Sequence, residues 1–477
     1  MQNKRIINWV GLVFMSLAYT ACHVPVAVQK DENKSVPAQF SSSLDSTNSG
    51  KISWKTFFSD PNLNALIDSA FSNNQELNIT MQEIEISKNE ISARKGEYLP
   101  FVGLKGGLGV EKAARYTNIG ASEATTDIKP GRETPEPLPD AQIGAYARWE
   151  VDIWHKLRNA KKSAVQRYLS SMEGKNFMMT NLAAEIANSY YELLALDNQL
   201  SIVQQNIEIQ SNALRIVRLE KDATRVTELA VKRFEAQVLK TQNMQYGIQQ
   251  KIVEAENRIN FLVGRFPQHV ARSTQNYETL VPDVMKAGLP AQLLANRPDI
   301  RQAELDLSAA KLDIQVARAN FYPSLGISAS IGLRAFNPAY LVKLPESLMG
   351  SLIGDMVGPL INKNAIRATY FNANAKQIQA VYNYERTILN GYIEVSNQLS
   401  NIDNLEKSYD LKKREVETLN QSTAISNRLF MSARADYMEV LLTQREALET
   451  KFELVETRMQ QMNAMVNVYR ALGGGWN

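Results

Sequence analysis

The chain has 477 residues, with 53 Lys+Arg against 50 Asp+Glu and a formal net charge of only +3. That balance leaves no basic footprint for nucleic acid and no acidic tail, while 44% hydrophobic residues allow a large core. Three histidines (His23, His155, His269) and one cysteine, Cys22, exclude a disulfide scaffold, a Cys-based zinc site and a multi-histidine metal site. The nucleophile–histidine kit of an enzyme is nearly empty, and no cofactor is expected. Gly103, Gly106, Gly107 and Gly109 superficially resemble a phosphate loop, but no Gly-Lys-Ser/Thr follows them.

At the N-terminus, Lys4 and Arg5 precede an apolar run from Ile6 to Ala18, too short for a membrane anchor, so residues 1–21 read as a signal peptide. Ser16-Leu17-Ala18 offers one cleavage site. Thr20-Ala21-Cys22 offers another and resembles a bacterial lipobox, with Tyr19 where an apolar residue is usual. An unpaired thiol on an exported protein is a reactive liability, so Cys22 is expected to carry lipid. Residues 22–50, rich in Ser, Asn and Lys, are expected to form a flexible tether. No later stretch reaches ~18 uninterrupted apolar residues, so no membrane-spanning helix follows.

A first unit, residues 51–270, opens with helical pattern over about 61–96. Strands follow at about 98–113 and 141–155, joined by a Pro-rich loop at 130–139. In the first strand Val102, Leu104, Leu108 and Val110 alternate with Gly103, Lys105, Gly107 and Gly109. In the second, Ile143, Ala145, Ala147 and Trp149 alternate with Gly144, Tyr146, Arg148 and Glu150. Period two over about ten residues is the length a tilted transmembrane strand needs. Aromatic residues near strand ends (Tyr98, Phe101, Trp149, Trp154, Phe321, Tyr322, Phe336) fit interfacial girdles. A helix of about 65 residues from Lys156 and a return helix over 224–264 complete the unit, closed by Gly264 and Pro267.

A second unit, 271–477, repeats the order: helix over 290–320, strands at about 322–336 and 346–361, a helix from Asn364 to Phe430, and a return over 434–472. The strand in 346–361 alternates poorly and is placed by the repeat. Arg218-Leu219 and Arg428-Leu429 mark an offset of 210 (428 − 218). Met172, Met179, Ile186, Leu193, Leu200, Ile207 and Leu214 recur every seven residues, as do Val381, Ile388, Val395, Ile402, Tyr409 and Val416. A sustained seven-residue apolar period marks a coiled coil. The fold class is therefore mainly α with transmembrane β, in two tandem repeats of helix–strand–strand–long helix–long helix. Four strands cannot close a barrel, and open edges are forbidden in lipid, so other copies must complete the sheet.

Four segments carry a family resemblance: Trp54-Lys-Thr-Phe-Phe-Ser-Asp-Pro-Asn-Leu63, Trp149-Glu-Val-Asp-Ile-Trp154, Gly288-Leu-Pro-Ala-Gln-Leu-Leu-Ala-Asn-Arg-Pro-Asp-Ile-Arg301 and Tyr469-Arg-Ala-Leu-Gly-Gly-Gly-Trp476. The chain resembles the outer membrane factors, the trimeric ducts of tripartite efflux systems, and within them the lipoprotein branch. The resemblance implies a homotrimer with a 12-stranded outer membrane barrel and a periplasmic helical tunnel. Its implied partners are a periplasmic adaptor, a proton-driven inner membrane pump and outer membrane lipid. It also implies a gate at the periplasmic helix ends: Phe430 and Met438 match the apolar gate positions, with Arg434 and Asp436 as aperture links. Leu442 stands where some members carry an aspartate. His155 and Asn364 stand where the family commonly has glycine at strand-to-helix junctions.

Two functions are compatible with these patterns: a passive export duct, or a lipid-anchored periplasmic coiled-coil scaffold without a pore. The apolar strand faces, which a scaffold would have to bury, favour the duct. Met459, Met462 and Met465 have spacing that suits Cu(I) thioether ligation, and equally that of helix packing.

Overall fold

The computed structural model describes residues 24–26, 28, 30–40, 47–273, 286–432 and 434–476. Its long helices are α1 (Pro61–Asn73), α2 (Gln75–Tyr98), α3 (Lys156–Asp222), α4 (Glu228–Val263), α5 (Pro298–Ala319), α6 (Asn364–Met431) and α7 (Tyr437–Ala471). The main strands are β1 (Phe101–Glu111), β2 (Leu138–Val151), β3 (Ser324–Ala335) and β4 (Leu348–Val357). A small ribbon, Asp127–Lys129 with Arg132–Glu133, decorates the β1–β2 loop.

The heptad positions explain the two longest helices. Ile186, Leu193 and Leu214 on α3, and Val381, Ile388 and Val395 on α6, are all buried. The first turn of α3 is held by Asp152, whose carboxylate accepts the Leu157 and Arg158 amides at 3.0 and 2.9 Å. Helices α3, α4 and α7 end in one hydrogen-bond pattern that needs a left-handed residue. Glycine supplies it after α4 (Gly264, φ 80°) and α7 (Gly473, φ 88°); after α3 it is Thr224, φ 58°.

Two compact units form, and each sequence repeat feeds both. One takes residues up to Asp31, Glu85–Leu169 and Leu305–Tyr382; the other takes Glu32–Ile84, Ser170–Glu304 and Asn383–Asn477. In the first unit the sheet runs β1-β2-β3-β4, antiparallel throughout. Each repeat contributes one hairpin, and β2 pairs with β3 across the repeat boundary through Ala145↔Ile331 and its neighbours. Beneath the sheet Phe321 meets Tyr370 edge-on at 5.7 Å, with Ile314 and Val24 packed alongside. Phe321 is thus core and not girdle, because its ring turns inward against α6. His155, at the first strand-to-helix junction, is left-handed (φ 58°). At the second junction the left-handed residue is Asn362 (φ 56°), two before Asn364, which opens α6.

The second unit is helical, with a core that includes Trp54, Phe58, Ile67, Tyr190, Ile259 and Tyr469. Tyr190 donates to Asp60 at 2.7 Å; burial first, then that acceptor, pushes its phenol up. Met462 and Met465 lie in this core and Met459 packs against it, so thioether bulk is their visible role. The expected flexibility of 22–50 does not hold for 30–40. In the second unit Asn33 donates to Glu385, Lys34 pairs with Glu304 at 2.7 Å, and Phe40 is buried in a stack on Tyr392. In the first, the Lys30 carbonyl accepts from Gln377. Polar composition suggested a tether; a few complementary partners on distant helices hold it down instead.

Candidate functional site

The register of the sheet sorts its side chains. Leu104 faces Ala145, which faces Ile331, which faces Gly350; Val102, Ala147, Ala329 and Leu352 form the next such row. One face is therefore apolar from β1 to β4. The weak alternation of β4 is resolved here, since Leu348, Leu352 and Met356 all fall on the apolar side. Leu104 is 87% exposed and Leu352 79%. Such a continuous apolar face has no place in water and suits lipid. Strands β1 and β4 also lack an outer partner among the described residues, leaving two open edges.

The opposite face is polar on β1 to β3, while β4 adds Met349, Ile353 and Val357 to it. Arg334 forks onto Asp140 at 2.8 and 3.0 Å, Ser330 bonds Ser351 at 2.7 Å, Lys105 falls in a row between these pairs and Arg148 in the row beyond Ser330. Tyr146 lies flat over Gly103, where a Cβ would sit 2.9 Å from its ring. At the lower rim the Trp149 indole donates to the Tyr98 carbonyl, and that of Trp154 donates to the Pro323 carbonyl while stacking on Tyr322 at 4.7 Å.

In the second unit, at the turns that end the long helices, Leu214, Val217, Val231, Phe234 and Val440 form a small apolar cluster. Phe430 packs against it while staying partly exposed. Met438, on the first turn of α7, accepts a hydrogen bond through sulfur from Arg233 at 2.8 Å. Arg434 and Asp436 lie in the α6–α7 turn; neither makes an ion pair or side-chain hydrogen bond among the described residues of one protomer. Phe430 and Met438 thus share one helix end, each held by the α3–α4 hairpin. Cys22 lies outside the described residues.

Several residues with clear jobs escaped the sequence patterns. Arg297 is buried, binds Asp299 at 2.8 and 3.0 Å and Glu394 at 2.9 Å, and donates to the Ala471 carbonyl. Arg470 takes the other oxygen of Glu394 at 2.9 Å. This staple joins α5, α6 and α7, and it accounts for the Asn-Arg-Pro-Asp segment as a structural joint. Arg272 similarly ties Asp197 of α3 to Glu256 of α4. Charged letters at such separations carry no periodic signal.

The model of the family described as outer membrane efflux protein matches residues 66–265 and 289–474. The pyoverdine export outer membrane protein OpmQ of Pseudomonas aeruginosa is 27% identical over 423 residues, 89% of this chain and 87% of its own. The cation efflux system protein CusC of Escherichia coli K12 is 25% identical, covering 97% of this chain and 98% of its own. The probable outer membrane lipoprotein SilC of Salmonella typhimurium is 24% identical, covering 92% and 93%. The fold is similar to a membrane protein from Pseudomonas aeruginosa (TM-score 0.85, 23% identity, 94% of this chain and 97% of that one). It is also similar to the open-state MtrE channel of Neisseria gonorrhoeae (TM-score 0.82, 20% identity, 95% and 98%).

Proposed function

The chain belongs to the outer membrane efflux protein family, and from that premise we propose how its parts perform export. It is the outer membrane channel of a tripartite efflux system, a duct and not an enzyme, working with a periplasmic adaptor and an inner membrane pump. Three copies join their sheets edge to edge, β1 of one against β4 of the next, giving a 12-stranded barrel. The apolar face meets lipid and the polar face of Lys105, Tyr146 and Arg148 lines the lumen. The observation that carries this is the sheet itself: apolar along one face through all four strands, with both edges unpaired among the described residues.

The long helices form the periplasmic tunnel, and Phe430 and Met438 narrow it. Apolar rings of this kind close a pore by dewetting. Arg434 and Asp436, without side-chain partners among the described residues of one protomer, are set to pair across helices of neighbouring copies. Cys22 carries the lipid anchor; the lipobox-like Thr20-Ala21-Cys22 and the likeness to a probable outer membrane lipoprotein support this reading. Residues 51–270 and 271–477 act as two equivalent halves of each protomer, and the inner membrane partner is of the proton-driven type.

The test is native mass in detergent with planar-bilayer recording. A trimer that needs detergent, fractionates with the outer membrane and conducts ions is the expected result. A monomer or dimer released without detergent overturns the duct and leaves the tethered scaffold.

A further inference from the structure

We propose that a cavity in the first unit, walled by α5, α6 and the N-terminal residues Val24, Pro25, Val26, Lys30 and Asp31, binds the phosphate headgroup of a phospholipid. The cavity has a volume of about 530 Å³. Lys30, Lys311 and Arg318 line it, with Asp31 the carboxylate among the described lining residues. Phosphate oxygens accept charge-assisted hydrogen bonds from such cations.

A second observation points the same way. Asn374 lines the cavity, is only 8% exposed, and makes no hydrogen bond among the described residues. Its NH₂ group can donate to a phosphate oxygen in the cavity. One flank of the cavity is also apolar, formed by Val24, Ile314 and the 91% exposed Val26. Cations beside an apolar strip match an amphiphile, and a free phosphate has no use for the strip.

The place in the chain agrees, and here the inference rests on the outer membrane reading above. Arg318 lies six residues before β3 opens at Ser324, and Val24 lies two residues after Cys22. The cavity therefore lies at the periplasmic rim of the barrel, the level of inner-leaflet headgroups.

The experiment uses the full chain, purified in detergent from the outer membrane fraction, with bound phospholipid counted by native mass spectrometry. The delipidated protein is then titrated with dioctanoyl phosphatidylglycerol and, separately, with inorganic phosphate. Wild type is expected to retain phospholipid and rebind the short-chain lipid. The pair Lys311→Glu/Arg318→Glu lowers retention roughly tenfold, by loss of two charge-assisted contacts. Asn374→Leu, close in volume, lowers it too, with trimer mass and conductance unchanged in both variants. Equal retention by wild type and variants, or phosphate bound as tightly as lipid, overturns the proposal. A lipid-free trimer that still conducts sinks this site alone. A chain absent from the outer membrane sinks the channel reading first.

Discussion

Thr224 holds a left-handed conformation at φ 58°, in the position that glycine fills after α4 and α7. A β-branched residue pays steric strain there that glycine does not. Thr224→Gly is therefore expected to stabilise the chain by about 1 kcal/mol, partly offset by the greater freedom of glycine in the unfolded state. Chemical unfolding in detergent measures this, and a loss of stability would show that the threonine side chain compensates through a contact of its own. Glu256 makes a second case. Burial pushes its carboxyl up, but hydrogen bonds from Arg272 and the Val270 amide, with the charges of Arg272 and His269, hold it below the ordinary value. A depressed carboxyl contributes stability that is fully present above its unfolded value, ~4.3, and is lost as pH falls through the folded value. Glu256→Gln should cost roughly 1–2 kcal/mol at pH 7, and the gap should narrow as pH falls below the ordinary carboxyl value and through the lowered folded one. Melting curves over that range decide it, since a gap independent of pH would remove the charge from the explanation.

Among the elements, the turn between α6 and α7 carries the gate we propose. Phe430 leans on the cluster around Phe234 and Val440, and Arg233 holds the Met438 sulfur, so both side chains are positioned by the α3–α4 hairpin. Replacing Phe430 and Met438 together by alanine is expected to raise the resting single-channel conductance, because an apolar constriction loses its dewetting barrier as it widens. Unchanged conductance would move the constriction elsewhere. This site was only half legible beforehand. The family resemblance pointed to this turn, yet nothing local in the residues announces that Arg233, some 205 positions away, reaches Met438. The strands show the same division. β1 and β2 could be read from their alternation, whereas β4 could not, and its apolar face emerged only when pairing with β3 fixed which residues share a side.

At the scale of the whole molecule, the division of labour between chain and fold has a physical basis. Periods of two and seven are local properties, set by the pleat of a strand and the turn of a helix, so the long helices, the strand-rich segments and the duplication could all be read from the letters. The same local reading implied that the strands need other copies, because four strands leave edges that lipid does not tolerate. Tertiary structure decided what depends on partners remote in sequence. It docked Asn33, Lys34 and Phe40 onto distant helices where composition suggested a loose tether. It turned Phe321 from the membrane girdle into the core, and it placed the left-handed residue before α6 at Asn362. It also assembled the Arg297 staple, whose carboxylates, Asp299 and Glu394, stand two and 97 residues away. Single charged residues have no period, and their meaning arises only when folding brings opposite charges out of water together.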